Sequence, residues 1–518
     1  KHSFKFGGEF RANRDTTYFG ISPNGQYVFG GGAAFATSPS LSASGGHNIA
    51  AGQQLPDTLS AFLLGSAFSY TVAVAPPQFP QADQIGVAAI SRYNLNVYAQ
   101  DTWKISQRLT LDYGLRYELY SPITERARRT AGMQFTNGPS GPEQLYLVNP
   151  EPPYRWLGNN WGPRVGVSWQ ASKNLRIRAG GALTTIPPNI WQDNLLTGAA
   201  PYVDYPRITA APGAPLPIGT VIRSSDLPGV YTPSGVNILA SGNSKDVPDN
   251  TVWDVTRFDR ALAALSPSHL ISPLNASAIA QNFKNAYLGT WSFSLERSLH
   301  GLSLSTGYVG TSGMYLPAID FPNAFPGATA AFAHYTQFNS AGQITGGFGT
   351  DMLATNRSHS TYHALQTSAQ GAAGRGGPHV QVNFTWSKSL DDTSSVIGPG
   401  VGGVSGASPA WPQNPFDPGA DKGPSGFDVK LALTATVVQD LHAERAPGLR
   451  LLGPKLTGGW QLLSISTLTS GLPFTVYSGM QQTGVGSIGT DRPDQIGTPV
   501  LSTGRTVRED YFGLGAAN

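Results

Sequence analysis

Along most of this chain apolar and polar residues alternate one by one, the period of a β-strand with one dry and one wet face. The clearest stretch runs from Tyr93 to Tyr120. Tyr93, Leu95, Val97, Ala99, Trp103 and Ile105 share one face, and Asn94, Asn96, Tyr98, Gln100, Thr102 and Lys104 share the other. After a turn at Ser106, Gln107 and Arg108, Leu109, Leu111, Tyr113, Leu115, Tyr117 and Leu119 oppose Thr110, Asp112, Gly114, Arg116, Glu118 and Tyr120. The first residues already alternate, with Phe4, Phe6 and Phe10 against Lys5, Glu9 and Arg11.

Further pairs follow. Val165, Val167 and Trp169 turn at 171–174 into Leu175, Ile177, Ala179 and Leu183, which oppose Arg176 and Arg178. Tyr287, Trp291, Phe293 and Leu295 oppose Thr290, Ser292, Ser294 and Glu296, then turn at 299–301 into Leu302, Leu304 and Tyr308. A fourth pair covers 362–370 and 379–388, joined at 374–378. The last covers 427–441 and 459–476. In that final strand Trp460 and Leu462 are out of phase with Leu463 and Ile465, which leaves its register open.

Between pairs lie long connections rich in Gly, Pro and Asn, over roughly 121–162, 187–282, 315–358 and 389–426. A compact soluble domain rarely carries several structureless loops of about 40 residues. Short turns at one end and long loops at the other are the plan of a transmembrane β-barrel. The pattern therefore predicts an all-β fold, a partial antiparallel transmembrane barrel with long extracellular loops. One short helix is expected near 259–265. Trp103, Trp169, Trp291 and Tyr93 fall where an interfacial aromatic girdle would sit. The alternative is a β-sandwich, whose strands also alternate but whose connections seldom differ so regularly in length.

Composition fits a barrel with a polar interior. Only 13% of the 518 residues are charged, about half the usual share, yet the mean hydropathy is −0.17 because neutral polar residues and 62 glycines fill the gap. A net charge of +3 gives no footprint for nucleic acid. Without cysteine, disulfides and thiolate metal sites are excluded. No apolar run of about 18 residues is present to form a transmembrane helix, a condition strands do not share.

Candidate chemistry is sparse. His359 and His363 share a strand face but lack an obvious third ligand, so they read as an ordinary loop-to-strand entry. Asp391, Asp392, Asp417, Asp421 and Asp428 lack the spaced ligands and Gly turn of a calcium loop and read as solvated loop carboxylates. No nucleophile elbow occurs, and the Gly-rich stretch 398–406 lacks the flanking strand and helix of a phosphate cradle. No enzyme activity and no cofactor are therefore expected. Trp191, Trp253 and Trp411 lie in long connections, where they either stack on a flat ligand or pin their own loops. Arg116, Glu118, Arg176, Arg178 and Glu296 fall on polar faces and would line a barrel lumen.

Several stretches resemble the barrel of TonB-dependent outer-membrane receptors, in particular the Oar-like group with a carboxypeptidase-regulatory-like N-terminal domain. They are NLNVYAQDTWKISQRLTLDYGLRYE (94–118), GPRVGVSWQASKNLRIRAGGA (162–182), WSFSLERSLHGLSLSTGYVGTSG (291–313), YHALQTSAQ (362–370), FTWSKSLDD (384–392), DKGPSGFDVK (421–430) and GGWQLLSISTLTSGLPFTV (458–476). The resemblance implies a twenty-two-stranded barrel in the outer membrane, plugged by a globular domain. Its implied partners are outer-membrane lipid, that plug, periplasmic TonB and a small-molecule, oligosaccharide or peptide ligand. No plug-like or TonB-box-like segment is present in the sequence, so residues 1–518 are expected to be an incomplete barrel whose plug and closing strands lie elsewhere. The rival expectations are a secretion or adhesion barrel and a soluble carbohydrate-binding β-sandwich.

Overall fold

The computed structural model describes residues 1–18, 22, 24–41, 48–74, 87–126, 130, 132–137, 143–148, 152–188, 203–226, 264, 268, 270–271, 276–324, 336–338, 344–347, 349, 351–374, 377–394, 412–442, 448, 454–478 and 491–494. Eleven long strands form one sheet in chain order, each antiparallel to the next. They are β1 (His2–Tyr18), β2 (Val87–Lys104), β3 (Leu109–Tyr120), β4 (Trp161–Ser172), β5 (Leu175–Ile186), β6 (Ala286–Leu299), β7 (Leu302–Asp320), β8 (Met352–Ala372), β9 (His379–Asp391), β10 (Leu431–Leu441) and β11 (Trp460–Thr469). Among the described strands β1 and β11 each pair on one side only, so the sheet is an open wall. Among the described residues no helix is long and apolar enough to cross a membrane.

Connection length alternates with position from β2 to β10, and only the β10–β11 link, residues 442–459, is longer than a tight turn at its end. The links β2–β3, β4–β5, β6–β7 and β8–β9 are tight and lie at one end, whereas β3–β4, β5–β6, β7–β8 and β9–β10 are long and lie at the other. The β6–β7 turn is His300–Gly301, both with positive φ, +48° and +89°. That is the twist a two-residue hairpin needs to match its strands. In the β2–β3 turn the Ser106 hydroxyl accepts from Arg108 N and Leu109 N at 3.1 and 3.0 Å.

Burial is reversed relative to a soluble protein. The apolar face is open, with Phe6 84% exposed and Leu95, Val97, Leu115, Val165, Phe293 and Trp386 also exposed. On the opposite face Asn94, Asn96 and Glu118 are buried. A sandwich would have hidden the first set and wetted the second, so the sandwich alternative fails. The aromatic residues of the open face meet between neighbouring strands: Phe10 stacks on Tyr93 and His2 on Trp103 at 5.2 Å, and Tyr117 meets Trp161 at a tilt.

Several expectations need correction. The expected loop 315–358 is shorter, because β7 and β8 stay paired up to Asp320 opposite Leu353. Register shifts between Gly313 and Ala318, with Tyr315 at φ +56°, break the alternation that a sequence pattern can follow. The last pair is also narrower, beginning at Leu431 and ending at Thr469. Its phase conflict disappears, since Leu441 to Ala432 run unbroken opposite Trp460 to Thr469. Leu463 and Ile465 therefore stand on the inner face, and both are exposed. The helix expected near 259–265 lies, apart from Ala264, outside the described residues.

The hydrophobic core sits in the long connections. Segments between β1 and β2 and between β5 and β6 build a small sheet ordered Leu270–Ile271, Arg207–Thr209, Ser69–Thr71, Gln26–Val28. Phe35, Tyr70, Val72, Ile208, Leu216 and Ile222 pack there, shielded from water. The short helix α1 (Thr58–Leu63) belongs to the same cap, its first turn held by the Asp57 carboxylate accepting from Ser60 N at 2.7 Å. A second cluster joins the cap to the wall: Ile90 of β2 and Ala354 of β8 meet Ile123, Tyr154, Ile279 and Phe283.

Candidate functional site

On the inner face, strand pairing brings the sequence-predicted charges into two groups. Toward the long-loop end, Arg116 Nε lies 2.7 Å from Glu118 Oε1. Glu118 also accepts from the Thr185 hydroxyl, and its backbone oxygen accepts from Asn160 Nδ2 at 2.9 Å. Asn160 in turn accepts from Asn285 Nδ2 at 2.7 Å, so the Glu118 backbone ties the wall to two long connections. Toward the turn end, Glu296 sits between Arg178 at 3.4 Å and Arg176 at 3.8 Å. Arg176 Nε also donates to Gln170 Oε1 at 3.1 Å.

Between the two groups lies a trough of about 650 Å³. Its floor is small, with Gly166, Gly180, Ala182 and Ser292, and its border carries Gln100, Asp112 and Arg164. Asp112 is held by the Thr102 hydroxyl at 2.6 Å. Asp112 and Arg164 were not among the predicted site residues, although the same alternation places them on the polar face. Glu9 belongs here too: it pairs with Arg11 at 2.6 Å and accepts from Asn96 Nδ2 at 3.2 Å. The trough presents small side chains bordered by polar and charged ones, a surface suited to polar contacts rather than to covalent chemistry.

The other candidates divide differently. His359 and His363 both lie inside β8 rather than at its entry and hold separate partners: the Asp392 carboxylate at 3.8 Å and the Tyr308 hydroxyl at 2.8 Å. Among the described residues no group of three or more His, Asp or Glu is arranged to hold a metal. Asp417 is exposed as expected, whereas others of the acidic residues expected to be solvated are held by strand-end and loop donors. Asp391 is buried and accepts from the Ser394 hydroxyl at 2.7 Å, and Asp428 accepts from Ser389 N at 2.8 Å. Burial lifts the Asp421 carboxyl above the ordinary carboxylate range, against the opposing pull of Arg492 at 3.1 Å. Loop backbone and hydroxyl donors replace the water those side chains were expected to meet. Trp191, Trp253 and Trp411 lie outside the described residues.

One residue interrupts the open apolar face. Asp101 falls between Ala99 and Trp103 and is only 3% exposed. It accepts from Ser3 N at 3.1 Å and Tyr113 Oη at 3.0 Å, and meets His2 Nδ1 at 2.6 Å. Only the pairing of β1 and β3 against β2 supplies those partners.

An open apolar face banded with aromatics, a polar inner face and short and long connections that alternate from β2 to β10 define a transmembrane β-barrel wall. The chain matches the model of the outer membrane beta-barrel domain over residues 1–516, and it belongs to that family. Its place is the outer membrane. No curated protein matches it. Among solved structures, the copper transporter OprC is 9% identical with a TM-score of 0.31, over 72% of this chain and 38% of that one. The alcaligin outer-membrane receptor FauA from Bordetella pertussis is 8% identical with a TM-score of 0.29, over 73% and 42%. The siderophore receptor PirA from Acinetobacter baumannii is 9% identical with a TM-score of 0.30, over 82% and 59%. The chain thus spans between 38% and 59% of the length of these three proteins.

Proposed function

We propose that this chain is the barrel wall and extracellular cap of a TonB-dependent outer-membrane transporter of the Oar-like group, binding a ligand outside and passing it inward when a plug is remodelled. The reading assigns it transport and no catalysis. The observation that carries it is the inner trough between two paired charge groups, Arg116 with Glu118 and Arg176 and Arg178 sharing Glu296. A plug can rest on the Arg116–Glu118 end of such a surface and leave it without stranding a bare charge, since that pair is kept in both states. The folded cap supports ligand capture, because binding residues held on a packed scaffold lose little entropy on contact. Trp191, Trp253 and Trp411 are the proposed aromatic contacts of the loops.

The test works for any ligand. Cells carrying the full-length protein are expected to deplete at least one component of spent medium, read by untargeted mass spectrometry, and to stop doing so when TonB is deleted. Depletion that continues without TonB overturns energy coupling and leaves a passive barrel.

A further inference from the structure

We propose that the outer face of the wall at the top of β8 and β9 docks a phosphate-bearing lipid headgroup of the outer leaflet. The inference rests on family membership and membrane orientation, and is independent of the transport reading above.

Up the outer face of this strand pair the chemistry changes in the order a membrane leaflet does. Nearest the tight turn are Val380, Val382 and Phe384, aligned with Gly371, Ala369 and Thr367. Next comes Trp386 opposite Leu365, beside a linked aromatic set in which Trp291 Nε1 donates to Tyr308 Oη at 3.3 Å and Tyr308 meets His363 Nδ1 at 2.8 Å. Gly310 makes the set possible: a Cβ there would stand 2.2 Å from the Trp291 ring, so only glycine lets the indole lie flat. Such a belt marks the boundary between hydrocarbon and headgroups.

Directly above the belt Lys388 stands opposite His363. Above these is a notch of about 190 Å³ lined by His359, Ser360, Thr361, Leu390, Asp392 and Lys422. The Asp392 oxygens are engaged by the Ser358 hydroxyl and by His359 N at 2.9 Å. Lys388 and Lys422 are both exposed, and among the described residues neither is within ion-pair distance of a carboxylate. Two free ammonium groups at headgroup height, Lys388 beside His363 and Lys422 on the notch with His359, Ser360 and Thr361, fit a phosphate monoester better than a zwitterionic or neutral headgroup. A cation near an anionic lipid surface strengthens binding about fivefold per lysine.

The experiment compares bound lipid on the purified full-length protein by native mass spectrometry after delipidation and addition of bis-phosphorylated lipid A. The wild type is expected to retain the phosphorylated lipid in preference to its dephosphorylated form of the same acyl chains. The K388Q/K422Q variant is expected to retain roughly twenty-five-fold less. The control Arg297→Gln, on the outer face near the opposite end of β6, is expected to match the wild type. A heat-modifiable gel shift confirms that each variant is folded. Equal retention by K388Q/K422Q, or equal retention of the dephosphorylated lipid, overturns the proposal. Displacement of the lipid by millimolar inorganic phosphate also overturns it, by pointing to free anion as the ligand.

Discussion

Glu118 and Asp101 show how individual side chains settle charge on the two faces of one wall. Glu118 is a buried inner carboxylate whose neighbours, Arg116 and Thr185, come from its own strand and from β5. Removing its carboxylate leaves Arg116 and the Thr185 hydroxyl without their partner. Glu118→Ala is expected to cost about 2 kcal/mol, measured as a lower urea midpoint for the protein folded in lipid vesicles. In the double variant with Arg116→Ala the loss should be less than the sum of the two single losses, the mark of a coupled pair. Additive losses would show that the two side chains act separately. Asp101 makes the complementary point, because a carboxylate on the lipid side persists only where His2, Ser3 and Tyr113 cover it.

Among the elements, the tight hairpins fix register and so decide which residues face inward. The β6–β7 turn carries the most demanding geometry, since His300 and Gly301 both hold positive φ. A β-branched side chain at Gly301 meets that backbone strain and the Ala372 carbonyl, 3.1 Å from the ideal Cβ. Gly301→Val is expected to destabilise the barrel by about 1–2 kcal/mol, whereas His300→Asn, a residue that tolerates this conformation, should be neutral or slightly stabilising. Both are read from the same urea titration, and a neutral Gly301→Val would show that the turn can relax. The β10–β11 pair illustrates the opposite limit. Its own pattern fits two phases, and the hydrogen bonds to β10 select one of them.

The molecule as a whole divides its labour between a wall with little core and a cap that holds most of it. Lipid takes the place of a core for the wall, so apolar side chains such as Leu115 gain by facing outward. Leu115→Arg is expected to cost about 2–4 kcal/mol in vesicles, while Gln366→Arg on the inner face should stay within about 0.5 kcal/mol of wild type. Equal costs for the two would reverse the assignment of inside and outside. The cap follows ordinary soluble rules, with Tyr70, Ile208 and Leu216 shielded from water. Within the cap the Tyr27 hydroxyl donates to the Thr220 oxygen at 2.5 Å, linking two connections distant in sequence.

What the sequence determined by itself was the wall. Alternation is local, each residue's face following from its neighbours two positions away, so strands, tight turns and the polar-face position of Arg116, Arg178 and Glu296 were all legible. Tertiary structure alone decided what depends on partners far along the chain. It brought Glu296 between two arginines of β5, gave Asp101 its cover from β1 and β3, and assembled a cap core from segments well over a hundred residues apart. It also carried β7 and β8 through an irregular stretch where no periodic signal survives. Those outcomes rest on which surfaces meet, and no spacing along a single strand encodes that meeting.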